Sequence, residues 1–354
     1  MRFYILFSVW CSAFAWSSPQ WPVQDQHLIF LFQDMNEEIY AFLPGDDEPL
    51  FDYAFKREGF ARIDSAGALL PAQGRFTAPN QGKTLPQAMK DAAGFCLQVH
   101  LDLPDVSTPQ TILALARDGK TPDFALTQSG KSLQFSLKTD AGIRTATTPL
   151  PSTKNIRLAV SADASGLIMY INGRRVAASE GDASGYSTWS GGQLTLGNGA
   201  PGKPGWPGRL DGLALFTAPQ AEAAIAADDT AFTQIIKQRR APFTMQLSAK
   251  LVAKSKLPTL KDISPYTESL AVFEYEIVEI TQGMYLLDRI RVVHWTILGG
   301  QYTPYRDVAL GTVAKMTVES FRDNRQLKTI NISDTLPVDR NNDNYYDAGG
   351  LALK

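Results

Sequence analysis

The sequence predicts an all-β protein in which one helix separates a large N-terminal domain from a smaller C-terminal domain. Short segments between residues 29 and 216 alternate apolar with polar residues, which is the period of a half-buried strand. Gly, Pro, Asp and Ser separate these segments, and no helical pattern lies between them. Many short strands without intervening helices predict an antiparallel sandwich.

Three segments carry the strand pattern most clearly. Residues 95–103 and 131–138 place apolar side chains at every second position. The pair Asn172-Gly173 separates segments 167–171 and 174–178. Because Asn-Gly readily adopts the left-handed torsions of a two-residue hairpin turn, these two segments are predicted to pair.

A single helical pattern follows the predicted sandwich. Pro219 suits the first turn of a helix, and apolar residues recur at helical spacing from residue 220 to about residue 238. The basic run at residues 237–240 and Pro242 then mark a boundary. We interpret the run as a helix C-terminus, which favours cations; the alternative is a patch for a membrane or a nucleic acid.

Residues 241–354 are predicted to form a second β domain. Its strand patterns lie at residues 245–251, 270–280, 288–298, 309–319 and 326–333. Five strands without a helix predict a small antiparallel barrel or sandwich.

Composition excludes several classes of protein. Hydrophobic residues are 44% of the 354-residue chain and charged residues are 20%, as in globular proteins that bury a core. The 34 Lys and Arg nearly balance the 36 Asp and Glu, so no basic field favours a nucleic acid. No apolar run is long enough to span a bilayer. We therefore expect neither a nucleic-acid partner nor a membrane span.

The N-terminus has the pattern of a secretory signal peptide. Arg2 precedes an apolar stretch at residues 3–11, and residues 13–15 form an A-x-A cleavage site. We expect cleavage after residue 15 and a secreted or periplasmic protein; the alternative is a buried N-terminal strand. Cleavage removes Cys11 and leaves Cys96 as the remaining thiol, so no intramolecular disulfide is expected.

Two segments resemble the concanavalin A-like, laminin-G-type jelly-roll family. One is residues 163–176, which contain the predicted hairpin, and the other is residues 194–216, which lead into the helix. The resemblance implies a jelly-roll sandwich over residues 22–230. Such domains bind carbohydrate or protein through loops, sometimes with calcium, and some relatives are glycosidases. Gly212 stands where an acidic residue often follows Asp211, which argues against calcium ligation by Asp211.

Aromatic side chains in loops are the predicted ligand contacts. Tyr186, Trp189 and Trp206 lie in segments rich in Gly, Ser and Pro, and Asn198 follows a predicted strand. An aromatic face can stack on a sugar ring while an amide such as Asn198 bonds the sugar hydroxyl groups. The alternative is that the rings are buried and hold their loops against the sandwich core.

Calcium is the one cofactor that the sequence suggests. Residues 339–347 place carboxylate or amide oxygens at loop positions one, three, five and nine, which suits calcium. However, Asn344 replaces the turn glycine, and Gly350 replaces the final bidentate Glu. We therefore favour a solvated terminal loop over a calcium site.

One acidic segment matches a catalytic pattern in part. Residues 274–279 resemble the E-x-D-x-x-E strand of jelly-roll glucanases, in which Glu274 and Glu279 would act as nucleophile and acid. Glu276 replaces the central Asp, and the charged edge of an alternating strand explains the segment as well. We predict no catalytic residues.

A glycine-rich segment matches a nucleotide-binding pattern in part. Residues 197–202 fit G-x-G-x-x-G after a predicted strand. A phosphate site needs a helix that begins at once, and Pro204 and Pro207 prevent one. We interpret the segment as a loop between strands.

The sequence favours an exported, non-catalytic, lectin-like protein that binds a polysaccharide or another glycan. The alternative is a cell-envelope structural or assembly protein that docks a protein partner through residues 241–354. A weaker alternative is a glycoside hydrolase that uses Glu274 and Glu279.

Overall fold

The computed structural model describes residues 21–23, 27–33, 39–41, 50–52, 55–78, 81–117, 121–198, 205–338 and 343–350. The predicted signal peptide lies outside these residues. The first strands are β1 Leu28–Gln33, β2 Ile39–Ala41, β3 Leu50–Asp52, β4 Lys56–Gly59, β5 Arg62–Ile63, β6 Leu69–Leu70 and β7 Gly74–Ala78. After helix α1 (Gln81–Met89) come β8 Phe95–Asp102, β9 Gln110–Ala116, β10 Phe124–Ser129, β11 Ser132–Thr139 and β12 Gly142–Pro149. They are followed by β13 Ile156–Asp163, β14 Gly166–Ile171, β15 Arg174–Glu180, β16 Gln193–Leu196 and β17 Arg209–Phe216.

The second part of the chain begins after helix α2 (Glu222–Gln238). Its strands are β18 Thr244–Lys254, β19 Ser269–Gln282, β20 Arg289–Leu298, β21 Gln301–Tyr302, β22 Val313–Ser320, β23 Asn331–Ser333 and β24 Asn344–Asp347, with a short helix α3 (Leu260–Ile263) between β18 and β19.

The N-terminal part is a sandwich of two sheets, as the all-β prediction requires. One sheet has the order β15-β14-β13-β8-β17-β1-β2-β3, with β5 and β6 attached through β17. The other has the order β12-β11-β10-β9-β16-β7-β4. Alternating apolar residues from both sheets, such as Phe95, Leu97, Leu126 and Phe135, meet in one buried core. The predicted hairpin is confirmed as β14 and β15, with Asn172 and Gly173 at positive φ in its turn.

Helix α2 covers the outer face of the larger sheet. Phe232 and Ile235 pack on Cys96 and Phe216 in a second apolar cluster. Burial raises the pKa of the Cys96 thiol, which therefore stays protonated and serves as core. Arg239, directly after the helix, forms an ion pair with the sheet, since its Nη1 lies 2.6 Å from the Asp211 carboxylate of β17. Helix α2 ends at Gln238, within the basic run 237–240, so the run lies at a helix C-terminus.

The C-terminal part is a closed barrel. Strand β19 pairs with both β18 and β20, and β24 links β20 to β22, so the described strands β18, β19, β20, β24 and β22 form a ring. Met245, Leu247, Phe273, Val292 and Val318 fill the barrel interior. No helix in the described part of the chain is long and apolar enough to cross a membrane.

Two details of the predicted barrel were wrong. The segment 326–333 begins in the 3₁₀ turn Arg325–Leu327, and only Asn331–Ser333 forms a strand, parallel to β19. The strand that closes the ring is instead β24, which pairs in parallel with β20. The domain is therefore mixed rather than purely antiparallel.

Candidate functional site

On the outer face of the sheet β12-β11-β10-β9-β16-β7-β4, short alanine side chains on β9 and β10 lie between longer polar side chains on β11 and β16. We call this arrangement the groove and the alanines its floor. Ala114 on β9 lies directly opposite Ala125 on β10, so two short side chains meet in the middle of this face. Ala116 continues the floor along β9, two residues further on the same side. The opposite sides of these strands carry Leu115 and Phe124, which are buried in the sandwich core. Alternation thus fixes which residues face solvent.

The wall of the groove on β16 consists of Gln193 and Thr195. Thr195 pairs with Ala114 and Gln193 pairs with Ala116, so both side chains share the face of the floor. Gln193 is exposed and Thr195 is half-buried. Thr77 on the next strand pairs with Thr195 but is itself buried, so the open part of the face ends at β16.

The opposite wall lies on β11 and consists of Gln134, Ser136 and Lys138. Ser136 pairs with Ala125, and its neighbours at every second position face the same way. Thr145 on the edge strand β12 pairs with Ser136 and extends the row of hydroxyl groups. The groove therefore offers hydroxyl and amide groups, whereas the Lys138 ammonium group donates to the backbone carbonyl of Thr188.

The loop 186–192 closes one end of the groove. The carboxylate of Asp123 is fully buried and accepts the backbone N–H of Ser190 at 3.0 Å and of Gly191 at 2.7 Å. Lys138 Nζ lies 3.5 Å from the same carboxylate. Because charge-assisted hydrogen bonds to a buried carboxylate are strong, Asp123 holds the loop in place.

Two of the predicted ligand residues, Tyr186 and Trp189, hold this loop against the sandwich core. Trp189 Nε1 donates to a backbone carbonyl of β11 at 2.8 Å, and its ring centroid lies 6.0 Å from Phe95 and 5.7 Å from Phe124. Tyr186 Oη donates to the carbonyl of Ala183 at 2.9 Å. Burial raises the pKa of Tyr186, so its phenol stays neutral. Both rings pack inward.

The other two predicted residues lie at the opposite end of the groove. Asn198 follows β16, is exposed, and donates through Nδ2 to Gln110 Oε1 at 2.7 Å. Trp206 is fully buried and donates through Nε1 to Gln128 Oε1 at 2.9 Å. The four predicted residues therefore flank the two ends of one surface.

These positions correct the expectation that aromatic faces are open to a ligand. Tyr186, Trp189 and Trp206 all belong to the core cluster, and even Trp189 is only 8% exposed. Their glycine-rich loops fold back onto the sheet edges, which buries the rings. The three rings are instead buried and hold their loops against the core, which is the alternative given above. Of the four predicted residues, Asn198 reaches solvent.

The groove residues themselves were missed from the sequence. Their signal is the polar positions of strands whose alternate positions are apolar, as with Gln134 and Ser136 between Leu133, Phe135 and Leu137. That signal marks a solvent face but does not distinguish a binding face from an inert one. Only the pairing of Ala114 with Ala125 reveals the groove.

Among the described residues, no group of three or more His, Cys, Asp or Glu side chains could hold a metal ion. The carboxylate of Asp211 lies 2.8 Å from Arg209 and 2.6 Å from Arg239, so two guanidinium groups occupy it. This agrees with the argument from Gly212 against calcium at Asp211.

The predicted calcium loop falls partly outside the described residues, which resume at residue 343. Asp343 is exposed and pairs with Arg322 at 2.9 Å on the surface. Asp347 is buried inside the barrel, where Tyr305 donates to it. Because these two carboxylates lie in different environments, Asp347 is not available as a ligand of a surface calcium ion.

Glu274 and Glu279 lie five residues apart on β19, as in the glucanase pattern, but their side chains have different surroundings. Glu279 is exposed, whereas Glu274 is half-buried. Glu274 also forms an ion pair with Arg289 at 2.9 Å. The alternative interpretation, charged positions on a strand, fits this geometry.

One family model matches part of the N-terminal domain. Residues 76–226 match the model described as the concanavalin A-like lectin/glucanases superfamily, which confirms the resemblance predicted from the sequence. No curated protein matches this chain.

Several solved structures are similar at low identity. The binding domain of Botulinum neurotoxin DC, in complex with rat synaptotagmin II, has 9% identity and a TM-score of 0.46, over 82% of this chain and 73% of that chain. A Trypanosoma rangeli sialidase in complex with 2,3-difluorosialic acid has 12% identity and a TM-score of 0.42, over 59% of this chain and 33% of that chain. The Ruminococcus gnavus IT-sialidase CBM40 has 14% identity and a TM-score of 0.36, over 48% and 95%.

Proposed function

Because residues 76–226 form a domain of the concanavalin A-like lectin/glucanase superfamily, we propose that this chain is a non-catalytic, lectin-like protein that binds a polysaccharide or another glycan. We also propose that it is exported after cleavage of residues 1–15, to the periplasm or the cell exterior. Fold alone does not establish either property. The lectin-like proposal depends on the groove, and the export proposal depends on the signal-peptide pattern at residues 1–15.

One observation carries the proposal: the alanine-floored groove lined by hydroxyl and amide groups. Ala114 and Ala125 leave room above the sheet, and Gln134, Ser136 and Thr195 stand on either side. Along β9 the alanine floor extends from Ala114 to Ala116, about 7 Å at roughly 3.4 Å per residue. Hydroxyl and amide groups both donate and accept hydrogen bonds, which suits the many hydroxyl groups of a sugar chain.

A glycan array tests the proposal with the purified mature protein and two variants. Ala125→Tyr fills the groove floor on a solvent-facing strand position that tolerates an aromatic residue. Val176→Tyr is the matched control, since it is 40% exposed on edge strand β15 of the other sheet. We expect the wild type and the control to bind the same glycan and Ala125→Tyr to lose at least tenfold in affinity.

The array is run with calcium and with a chelator, so that any dependence on calcium is measured in the same experiment. A blank array in both conditions would contradict the lectin-like proposal. Equal binding by all three proteins would leave the lectin activity standing but exclude the groove.

A specific surface favours the second candidate function, docking of a cell-envelope protein through the C-terminal domain. Met284 and Leu286, in the loop after β19, are 72% and 87% exposed. The loop is held in shape by Tyr285, whose hydroxyl donates to the carbonyl of Arg289 at 3.0 Å and whose ring contacts Tyr345. Fixed, exposed apolar side chains are typical of protein-binding surfaces.

This second candidate has its own test. Leu286→Asp should abolish capture of an envelope protein by the full chain, because it places a charge in the apolar contact. Leu310→Asp, at a position 62% exposed in the turn before β22, is the matched control. Capture that is unchanged in Leu286→Asp would contradict docking through this loop.

A further inference from the structure

The face of the sheet that carries the groove has few charged side chains. Alternation places Thr127, Gln134, Thr145 and Gln193 on this face, and all four are uncharged. In the described strands β9, β10, β11, β12 and β16, the register assigns one charged side chain to this face, that of Lys138. A second charged residue, Asp123, directly precedes β10. The charge of the groove therefore depends mainly on Lys138 and Asp123.

Lys138 and Asp123 are neighbours and neutralise each other. The backbone N–H of Lys138 donates to the carbonyl of Asp123 at 2.8 Å, and Lys138 Nζ lies 3.5 Å from the Asp123 carboxylate. The ammonium group also donates to the backbone carbonyl of Thr188, and the carboxylate is fully buried. Because opposite charges this close largely cancel at longer range, the pair adds little net field to the groove.

Two exposed charged residues, Asp140 and Arg117, lie at the end of the groove that the loop 186–192 closes. Asp140 accepts Ser187 Oγ at 3.0 Å and the backbone N–H of Thr188 at 3.1 Å, so the rim carries a carboxylate that repels another anion. Arg117 follows the last residue of β9 and therefore lies beyond the alanine floor. The described floor and walls thus present hydrogen-bonding groups, and their one cation, Lys138, is already paired.

We propose that the groove selects a neutral glycan, one without carboxylate, sulfate or phosphate groups; this inference rests on the lectin-like function proposed above. Hydroxyl and amide groups bond the hydroxyl groups of a neutral sugar in both directions. An anionic sugar would lose hydration at the groove, and no unpaired guanidinium or ammonium group of the described floor and walls would compensate it.

Matched pairs of probes on the glycan array test this selectivity with the purified mature protein. One pair is N-acetyllactosamine with and without terminal sialic acid. The other pairs are uronic acid oligosaccharides before and after reduction of their carboxylates to alcohols. We expect the bound glycans to be neutral, and the acidic member of a pair to bind at least tenfold more weakly than its neutral partner.

The dependence of binding on salt is a second readout. A neutral ligand forms no ion pair that salt can screen. We therefore expect the affinity for the bound glycan to change less than about twofold between about 50 mM and about 500 mM sodium chloride.

An added cation tests whether charge sets the selectivity. Thr145→Lys places an unpaired ammonium group on exposed edge strand β12, beside Ser136, and should narrow the difference within a matched pair at least threefold. Ala178→Lys is the matched control, since Ala178 is exposed on edge strand β15 of the other sheet. The control should keep the selectivity of the wild type.

Three results would overturn the inference and leave the lectin-like function standing. They are acidic glycans that bind as tightly as their neutral partners, a tenfold loss of affinity over the salt range, and equal selectivity of Thr145→Lys and Ala178→Lys. A blank array contradicts the lectin-like function itself, and the inference with it.

Discussion

At the scale of single residues, His100 is a buried histidine without a hydrogen bond. It lies beneath helix α2, its ring stacks on Phe232 at 3.5 Å, and Trp21 meets it edge-on at 4.6 Å. Neither ring nitrogen has a hydrogen-bond partner among the described residues. Burial, and secondly the nearby charge of Arg157, lower the pKa of His100 well below its ordinary value. The native state therefore keeps this ring neutral.

The neutral ring predicts that acid destabilises the protein. The unfolded chain binds a proton at His100 near pH 6.5, whereas the native state does not, so stability falls as the pH drops below about 6.5. We expect a loss of up to about 1.4 kcal/mol per pH unit from this one group. Urea unfolding between pH 7 and pH 5 should show a smaller loss in His100→Leu than in the wild type.

Other groups beneath α2 also titrate, such as Asp228, because burial raises its pKa. The wild type and His100→Leu share these groups, so the difference between their losses of stability reports on His100. His27→Asn is the matched control, because His27 is exposed and asparagine tolerates its positive φ. If the control flattens the pH profile as much as His100→Leu does, the buried ring is not the cause.

At the scale of elements, the start of β16 depends on Gly192. Its φ is +122°, and a Cβ at this position would lie 2.0 Å from the carbonyl oxygen of Ala116. Gly142 also has a positive φ, +115°, but a Cβ there would meet nothing within 4 Å. A side chain at either position would therefore strain the backbone, and only a side chain at residue 192 would also clash with a neighbouring strand.

This pair predicts two different costs for the same substitution. Gly142→Ala should lose about 1–2 kcal/mol of unfolding free energy through backbone strain. Gly192→Ala should lose about 1–3 kcal/mol more, because the methyl group forces β16 away from β9. Urea midpoints measure both losses. Equal midpoints would show that β16 can shift freely, contrary to the close approach seen here.

Alternation predicted the strands of the sandwich because each buries one face along its own length. It did not predict β24, which is short and gains its stability from β20 and β22, strands distant in the chain. It also gave no sign of the groove, since the meeting of Ala114 and Ala125 depends on the register between two strands. Local patterns reveal which faces are buried, and pairing between strands decides what the exposed faces form.

At the scale of the whole molecule, the segment from β4 to β5 joins the sandwich to the barrel. Arg57 forms an ion pair with Glu268 at 3.2 Å and lies over the ring of Trp295, 5.7 Å from its centroid. Phe60 packs against apolar clusters both inside and outside the barrel wall. The sequence predicts domains at 22–230 and 241–354, but it does not predict this contact, because nothing in the local pattern around Arg57 and Phe60 indicates which distant element they pack against.

The contact predicts that the two domains unfold as one unit. Phe60→Ala removes the apolar part of the contact and should cost about 2 kcal/mol, less than a fully buried phenylalanine. Calorimetry should then resolve two transitions, with the barrel melting first because it loses the support of the sandwich. Phe243→Ala is the control, since Phe243 is 50% exposed beside β18. A single transition in Phe60→Ala, at the temperature of the control, would mean that Phe60 does not couple the two domains.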